Sequence, residues 1–468
     1  MENKSKLKKN LSPVNVWALA LGSIIGWGAF VMPGNLFLNS AGPLGTAIGM
    51  IIGALIMSVI VISYGYMVEK FPVAGGEFSF SFEGFNRHHA FVCSWFLGLS
   101  YLSIVPLNAT ALGLIGRYMF PGILQKGLLY SIAGWEVYFG EVLLASIVLI
   151  VFAYTSIKGI EISGKLQTLL AFIIVGSIVV LTTVSVLSNK TSISNLQPLF
   201  NSDTSKVGGI LSIVAIAPWI YVGFDSIPQA AEEFDFPPKK ALGVMIGSLL
   251  IGALLYIAMN TLTAIAFPWS EFIGRRPEWA TGAAVESVMG NVGLILLGSA
   301  LLSSILAGIL GFYMAGSRLL LSMSRAKAIP KWFGKIHPKY NTPSNAIKFI
   351  LLVSLLAPWF GRQVLKWVVD TASIGAAMGY LYTCLAALKT QIKHKESLGL
   401  RFISGLGAFF SLGFIGLLII PGMPSYLTRP SRLALVAWIV LGVVFYAVSY
   451  KSYNELSRES LRKIIIKE

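Results

Sequence analysis

The chain has 468 residues, 55% hydrophobic and only 12% charged, with a mean hydropathy of +0.75 and a formal net charge of +16. Soluble domains carry about 25% charged residues, so this composition excludes a soluble enzyme or binding module and describes a polytopic membrane protein. Two isolated cysteines, Cys93 and Cys384, both in apolar stretches, read as small buried hydrophobes rather than a disulfide framework.

Met1–Asn10 is basic but polar and leads into no short apolar core with a small-residue cleavage site, so it does not read as a cleavable signal peptide. Apolar runs long enough to span a bilayer follow at about residues 13–38, 43–68, 90–119, 139–157, 162–188, 207–231, 241–267, 292–317, 344–360, 365–388, 404–421 and 433–450. With the N-terminus inside, 26 of the 36 Lys and Arg residues fall on the inward side, from Lys4, Lys6, Lys8 and Lys9 to the tail beyond Lys451. The positive-inside rule then puts both termini in the cytoplasm. The basic excess is a matter of topology and does not point to nucleic acid.

The first run contains LGSIIGWGAFVMPG (Leu21–Gly34), with Gly22, Gly26 and Gly28 within seven residues and then Pro33-Gly34. Glycine in a helix interior costs about 1 kcal/mol against alanine. Membrane chains accept broken helices only where the freed backbone is buried in protein or lines a wet cavity. The run therefore reads either as a broken helix that holds a solute or as Gly22-xxx-Gly26 helix packing. Gly42-Pro43 marks a turn. The loop Phe71–His89 reads as cytoplasmic, with Glu77, Glu83 and a boundary pair His88-His89. Pro106 predicts a kink in the third run, and Asn108 is a polar group in need of a partner there. Gly159–Lys165 (GIEISGK) nearly spells a phosphate-binding loop, but Leu166 replaces the Mg²⁺-holding hydroxyl and no strand precedes it, so an ATP site is excluded.

The sixth run repeats the anomaly of the first. Ile216–Pro228 (IAPWIYVGFDSIP) holds Gly223, Asp225 and two prolines, and Glu232, Glu233 and Asp235 follow. An acid inside a span costs several kcal/mol unless it is paired, wet or protonated, so Asp225 is a functional candidate. Two interrupted runs in corresponding positions, the first and the sixth, fit an inverted-repeat transporter with its site between the breaks. Ser303-Ser304 lie near the middle of the eighth run, and the basic loop after it (Arg318–Asn345) reads as a solvated interfacial helix. No metal-ligand spacing, soluble domain or nucleophile–base constellation is found.

The run GSIIGWGAF (Gly22–Phe30) resembles the first-helix motif of the amino acid–polyamine–organocation (APC) transporters, which often read GxIIGxGIF. PVAGGEFSF, PWIYVGFDSIPQAAEE (Pro218–Glu233) and SRLLLSMSRAKAIPKWFGKIHPKYNTP are similar to three further motifs of that family, in its order, between about residues 13 and 345.

The resemblance implies an all-α, twelve-helix, leucine-transporter-type (LeuT-type) fold with a 5+5 inverted repeat, residues 13–188 and 207–388. Two further helices (404–450) and short cytoplasmic tails (1–12, 451–468) complete it. It also implies secondary transport of a small amino acid by alternating access, with H⁺ or Na⁺ as coupling ion, no cofactor, and a polyamine carrier or an exchanger as alternatives. Carried over, backbone around Ser23, Ile24, Gly26, Trp27 and Gly28 would take the substrate carboxylate, and backbone around Trp219, Val222, Gly223 and Phe224 its ammonium. Asp225 would carry the proton, and Ser303 and Ser304 with first-helix carbonyls would serve a sodium site. Trp27 stands where the family has a small residue, Asp225 replaces the commoner Glu, and Ile174 stands where lysine-using members carry that lysine.

Overall fold

A computed structural model describes residues 7, 9–132, 134–275, 277–423 and 425–466. Lys4, Lys6, Lys8 and Lys467, assigned above to the inward side, lie outside the described residues.

Helix α1 (Pro13–Ile25) starts with a capping box in which Ser12 and Asn15 satisfy each other's free amides, and Pro13 fits its first turn. It stops at Gly26. Helix α2 (Gly28–Met32) and one π-turn (Pro33–Phe37) lead into α3 (Leu38–Lys70), which leaves helical geometry at Gly42, the expected turn. A short α4 (Gly76–Gly84) precedes α5 (Arg87–Met119), whose first amides bond to Asn86; α5 stays helical through Pro106.

An antiparallel hairpin, β1 (Leu128–Ile132) with β2 (Trp135–Tyr138), corrects the all-α expectation. The ladder, with Tyr130 opposite Val137, Ser131 opposite Glu136 and Ile132 opposite Trp135, satisfies the loop's backbone without a helix, and Gly134 takes a positive φ of 79°. Gly159 separates α6 (Phe139–Lys158) from α7 (Ile160–Leu187), so GIEISGK is a helix boundary whose Lys165 pairs with Glu161 on the surface.

The sixth run is not one helix. It divides into α8 (Lys206–Ala215), α9 (Ala217–Ile220) and α10 (Ser226–Gln229), followed by a 3-10 turn at Ala231–Glu233. Helices α11 (Ala241–Ile265), α12 (Trp269–Gly274) and α13 (Ala280–Arg325) come next, and α13 bends at Gly290. Helices α14 (Ser344–Ser354), α15 (Gly361–Lys393), α16 (Leu398–Ile419), α17 (Arg429–Asn454) and α18 (Arg458–Ile465) complete the chain.

The segment after α13 does not form the expected interfacial helix. Arg318 is 2% exposed and held by Glu233 within the bundle, and the chain beyond Arg325 forms turns and one 3-10 turn. An arginine whose partner is a buried carboxylate is drawn into the protein rather than to the solvent.

Among the described residues, nine helices are long and apolar enough to cross a membrane; the first covers Pro13–Lys70, and Lys206–Ala215 and Ser344–Phe360 are shorter apolar helices. Packing comes in matched pairs. Helix α3 of the second span packs on α8 of the sixth, as α1 of the first packs on α11 of the seventh. Helix α5 of the third packs on α15 of the tenth, as α7 of the fifth packs on α13 of the eighth. Exchanging spans one to five with six to ten turns each pair into its counterpart.

Candidate functional site

Each glycine in the first break has its own task. A Cβ on Gly22 would lie 2.7 Å from Gln167 Nε2 and 2.8 Å from Ala307 Cβ, so Gly22 is a close-packing position. Gly26 makes the break, with φ 41° and ψ −175°, a backbone state that side chains rarely adopt. The run is thus closely packed at Gly22 and broken at Gly26, where an added Cβ would meet only Asn108 Oδ1 at 4.0 Å. The carbonyls freed at Ile24 and Ile25 both accept from the Tyr256 hydroxyl of α11 at 3.2 Å. The Ser23 hydroxyl is turned back to the Leu19 carbonyl at 2.8 Å, leaving this stretch to act through its backbone.

Gly223 makes the second break, at φ 134°. A Cβ there would lie 2.7 Å from both Ile24 N and Ser23 Cβ, so the two breaks meet backbone to backbone. Asp225 closes this turn: its Oδ1 accepts from the Gly223 amide at 2.7 Å, while Oδ2 is buried without a hydrogen-bond partner. The Tyr101 hydroxyl donates to the Asp225 carbonyl at 3.1 Å. Phe224 stacks on Tyr380 at 5.4 Å and meets Tyr64 edge-on at 5.2 Å.

Trp219 lies over Gly28, whose added Cβ would be 2.8 Å from the indole, and meets the Trp27 ring edge-on at 5.9 Å. These two indoles line a cavity of about 470 Å³ together with Leu107, Ile216, Arg117, Glu278 and Asp370. A volume of this size suits a small-molecule ligand. Ile24 and Val222 are buried, and the Ile24 side chain packs toward Gly252, so only its backbone faces the other break.

The end of the bundle that carries both termini is closed. Glu233 holds Arg318 through two hydrogen bonds, at 2.8 and 3.2 Å, and Glu232 meets Arg325 at 3.0 Å. The amides of Asn10 and Leu11 donate to the Glu233 carbonyl, and that of Leu7 to the Glu232 carboxylate.

The structure brings together Ser23, Ile24, Gly26, Trp27, Gly28, Trp219, Val222, Gly223, Phe224 and Asp225. Ser303 and Ser304 are buried in α13, where the Ser304 hydroxyl bonds to its own helix at Leu301; Ala307 and Gly308 are the α13 residues that meet Gln167 and Asn108 near the first break. Sequence reading passed over Tyr256, Gln167, the Glu233–Arg318 pair and Glu77 as site groups. Glu77 is fully buried and accepts from Gln229 Nε2, one turn beyond Asp225. A carboxylate beside two glycines in a polar loop carries no mark in the sequence that it is buried.

The profile described as amino acid permease matches residues 11–445. The chain belongs to the amino acid permease family, within the APC superfamily. It is 25% identical to the branched-chain amino acid permease BcaP of Bacillus subtilis (strain 168), over 97% of this chain and 96% of that protein. It is 24% identical to BcaP of Lactococcus lactis subsp. cremoris (strain MG1363), over 92% of each chain, and 24% identical to the methylthioribose transporter of Bacillus subtilis (strain 168), over 98% and 97%. These relationships make it a multi-pass membrane transporter of amino acids and not an enzyme.

Proposed function

We propose that this chain is a secondary transporter that imports a small α-amino acid by alternating access, with Asp225 carrying the coupling proton. The observation that carries the reading is the contact of Gly223 with the Ser23–Ile24 backbone. Two broken helices meeting at one point present free amides, carbonyls and dipole ends to the same solute. Backbone amides from Ser23 to Gly28 take the substrate carboxylate, and carbonyls between Trp219 and Phe224 take its ammonium. The side chain extends into the cavity toward Trp27 and Trp219, whose apolar faces suit an aliphatic residue.

Twelve crossings in a 5+5 repeat plus two fit this reading. The Pro13–Lys70 run counts twice across Gly42, the two shorter helices supply the sixth and ninth spans, and the matched helix pairs supply the repeat. The charge distribution supports cytoplasmic termini, and with the termini there the cavity faces outward.

A melting-temperature screen of purified protein in detergent tests the substrate. Leucine, isoleucine, valine, histidine, methylthioribose, polyamines and the decarboxylated amine of each amino acid are compared in NaCl and in choline chloride at two pH values. A ligand at 100 times its Kd stabilises by about 2.7 kcal/mol. Stabilisation by an α-amino acid but not by its amine is the expected result. Stabilisation by amines alone transfers the function to a polyamine carrier, and a requirement for NaCl transfers the coupling to Na⁺ near Ser303 and Ser304.

A further inference from the structure

Five elements converge on the termini side of Asp225. Glu77 comes from α4, Tyr64 from α3, Cys93 and Tyr101 from α5, Gln229 from α10 and Tyr380 from α15. Glu77 and Asp225 are both fully buried. Among the described residues neither has a salt-bridge partner, and each keeps one carboxyl oxygen (Glu77 Oε1, Asp225 Oδ2) without a hydrogen bond. The neighbouring cation, Arg318 of α13, is held by Glu233. The other titratable groups facing the two acids are the hydroxyls of Tyr64, Tyr101 and Tyr380 and the thiol of Cys93, none of them positive.

The placement of Glu77 is fixed by backbone. A Cβ on Gly76 would lie 2.8 Å from Pro228 and 3.3 Å from the Gln229 amide, so the first turn of α4 is pressed against α10. A Cβ on Gly75 would lie 2.1 Å from Ser322 of α13. From this position Glu77 reaches Gln229, whose amide donates to its Oε2. Gln229 is one helical turn after Asp225, which makes α10 the connection between the two acids.

Two carboxylates without a counter-charge in a low-dielectric interior cannot both be ionised. We propose that Glu77 and Asp225 form one proton site, a buried carboxyl pair that holds a single proton in the closed state. Asp225 ties that proton to the backbone of the substrate site, and Glu77 is its positioning partner toward the termini side. The pair then carries one negative charge, with one carboxyl group protonated while the other is a carboxylate. This rests on the proton-coupled reading above.

The test uses full-length protein in liposomes, with uptake of radiolabelled leucine, or of whichever amino acid the melting screen selects, driven by an inward acid gradient across a range of pH. D225N is expected to lose the acid-driven component. E77Q, which keeps the shape and removes one acid, is expected to retain acid-driven uptake with the midpoint of its pH profile moved at least one unit downward, because the remaining acid has lost its like-charged neighbour. Q229M, which leaves both acids but removes the donor to Glu77, is expected to move the midpoint upward. It also serves if E77Q does not fold. An E77Q profile that coincides with wild type while D225N loses its acid-driven component overturns the pair and leaves Asp225 as a single carrier; so does an unmoved Q229M. If D225N keeps its acid-driven uptake, the proton-coupled reading itself fails.

Discussion

The two ends of the bundle hold their charges in opposite ways. At the end with the termini, Arg318 and Arg325 of α13 cross to Glu233 and Glu232 after the sixth span, and the amides of Leu7, Asn10 and Leu11 cross to the same two acids. At the cavity end, Arg117 of α5 bonds to Glu141 of the adjoining α6 at 2.8 Å and lies 4.1 Å from the Trp135 ring of the hairpin. The first set ties together elements far apart in the chain, and the second joins α5 to the hairpin and the helix that follow it. The end with the termini is therefore locked by contacts between distant elements, while the other end holds the cavity. Opening that end would require breaking the Glu233–Arg318 pair and the hydrogen bonds from the Asn10 and Leu11 amides to the Glu233 carbonyl.

The largest effect is expected from breaking that lock. Arg318→Met leaves Glu233 buried without its partner, at a cost of about 3–5 kcal/mol. The melting temperature should fall sharply, and a cysteine at Leu11 should be labelled faster than in the parent. Cys93 and Cys384 are buried, so the background of this assay is low. Adding Glu233→Leu should restore most of the melting temperature and keep the fast labelling. A double variant as unstable as the single one would show that the pair is packing rather than a lock.

The two breaks can be compared by the same substitution. Gly26→Ala meets only Asn108 Oδ1 at 4.0 Å and bears the backbone strain alone, about 1–3 kcal/mol. Gly223→Ala bears strain and also places a methyl 2.7 Å from Ile24 N. Its melting temperature should fall further than that of Gly26→Ala, and uptake should be lost. Equal effects would mean that the backbones part in the working protein.

Both breaks could be read in the sequence because glycines and prolines, joined in the sixth run by an acid, fall within a few residues of one another inside an apolar run. Some helix limits were close to the apolar runs, 139–157 against Phe139–Lys158 and 162–188 against Ile160–Leu187, whereas 292–317 lies well inside the helix Ala280–Arg325. What could not be read depends on which face of which helix meets another. Arg318 looked like the first solvated charge of a loop because its partner, Glu233, is 85 residues away. Tyr256 looked like any aromatic in a span. Glu77 looked like a cytoplasmic loop acid, since one sequence does not show that α4 is covered by α5, α10, α13 and α15. The hairpin was missed because its strands, Leu128–Ile132 and Trp135–Tyr138, are short and fall in a loop between spans.

The pH dependence of stability sharpens the contrast between buried and exposed acids. Burial, and then the charge of Asp225, hold the Glu77 carboxyl well above its ordinary range. An acid whose pKa is raised on folding binds more protons folded than unfolded. Its stabilising contribution is complete below the unfolded pKa and is lost as pH rises through the raised value. The melting temperature should therefore decline from pH 5 to pH 8, with a shallower decline in Glu77→Gln. Parallel curves for the two proteins would assign the slope to other groups.

The smallest effect argued here concerns Tyr256, which belongs to neither end. Its hydroxyl alone separates Tyr256→Phe from the parent, and the ring contact with Phe37 at 6.2 Å is kept. One hydrogen bond shared by two carbonyls is worth about 1 kcal/mol net, so the melting temperature should fall by only a few degrees. Transport should change more than stability, since the carbonyls of Ile24 and Ile25 are then free to turn and the backbone between Ser23 and Gly28 loses its fixed orientation. A several-fold rise in the KM for uptake with little change in kcat is the expected pattern. An unchanged KM would mean that the close contact with Gly223 is enough to hold the first break in place, and that the hydroxyl serves only to satisfy two buried carbonyls.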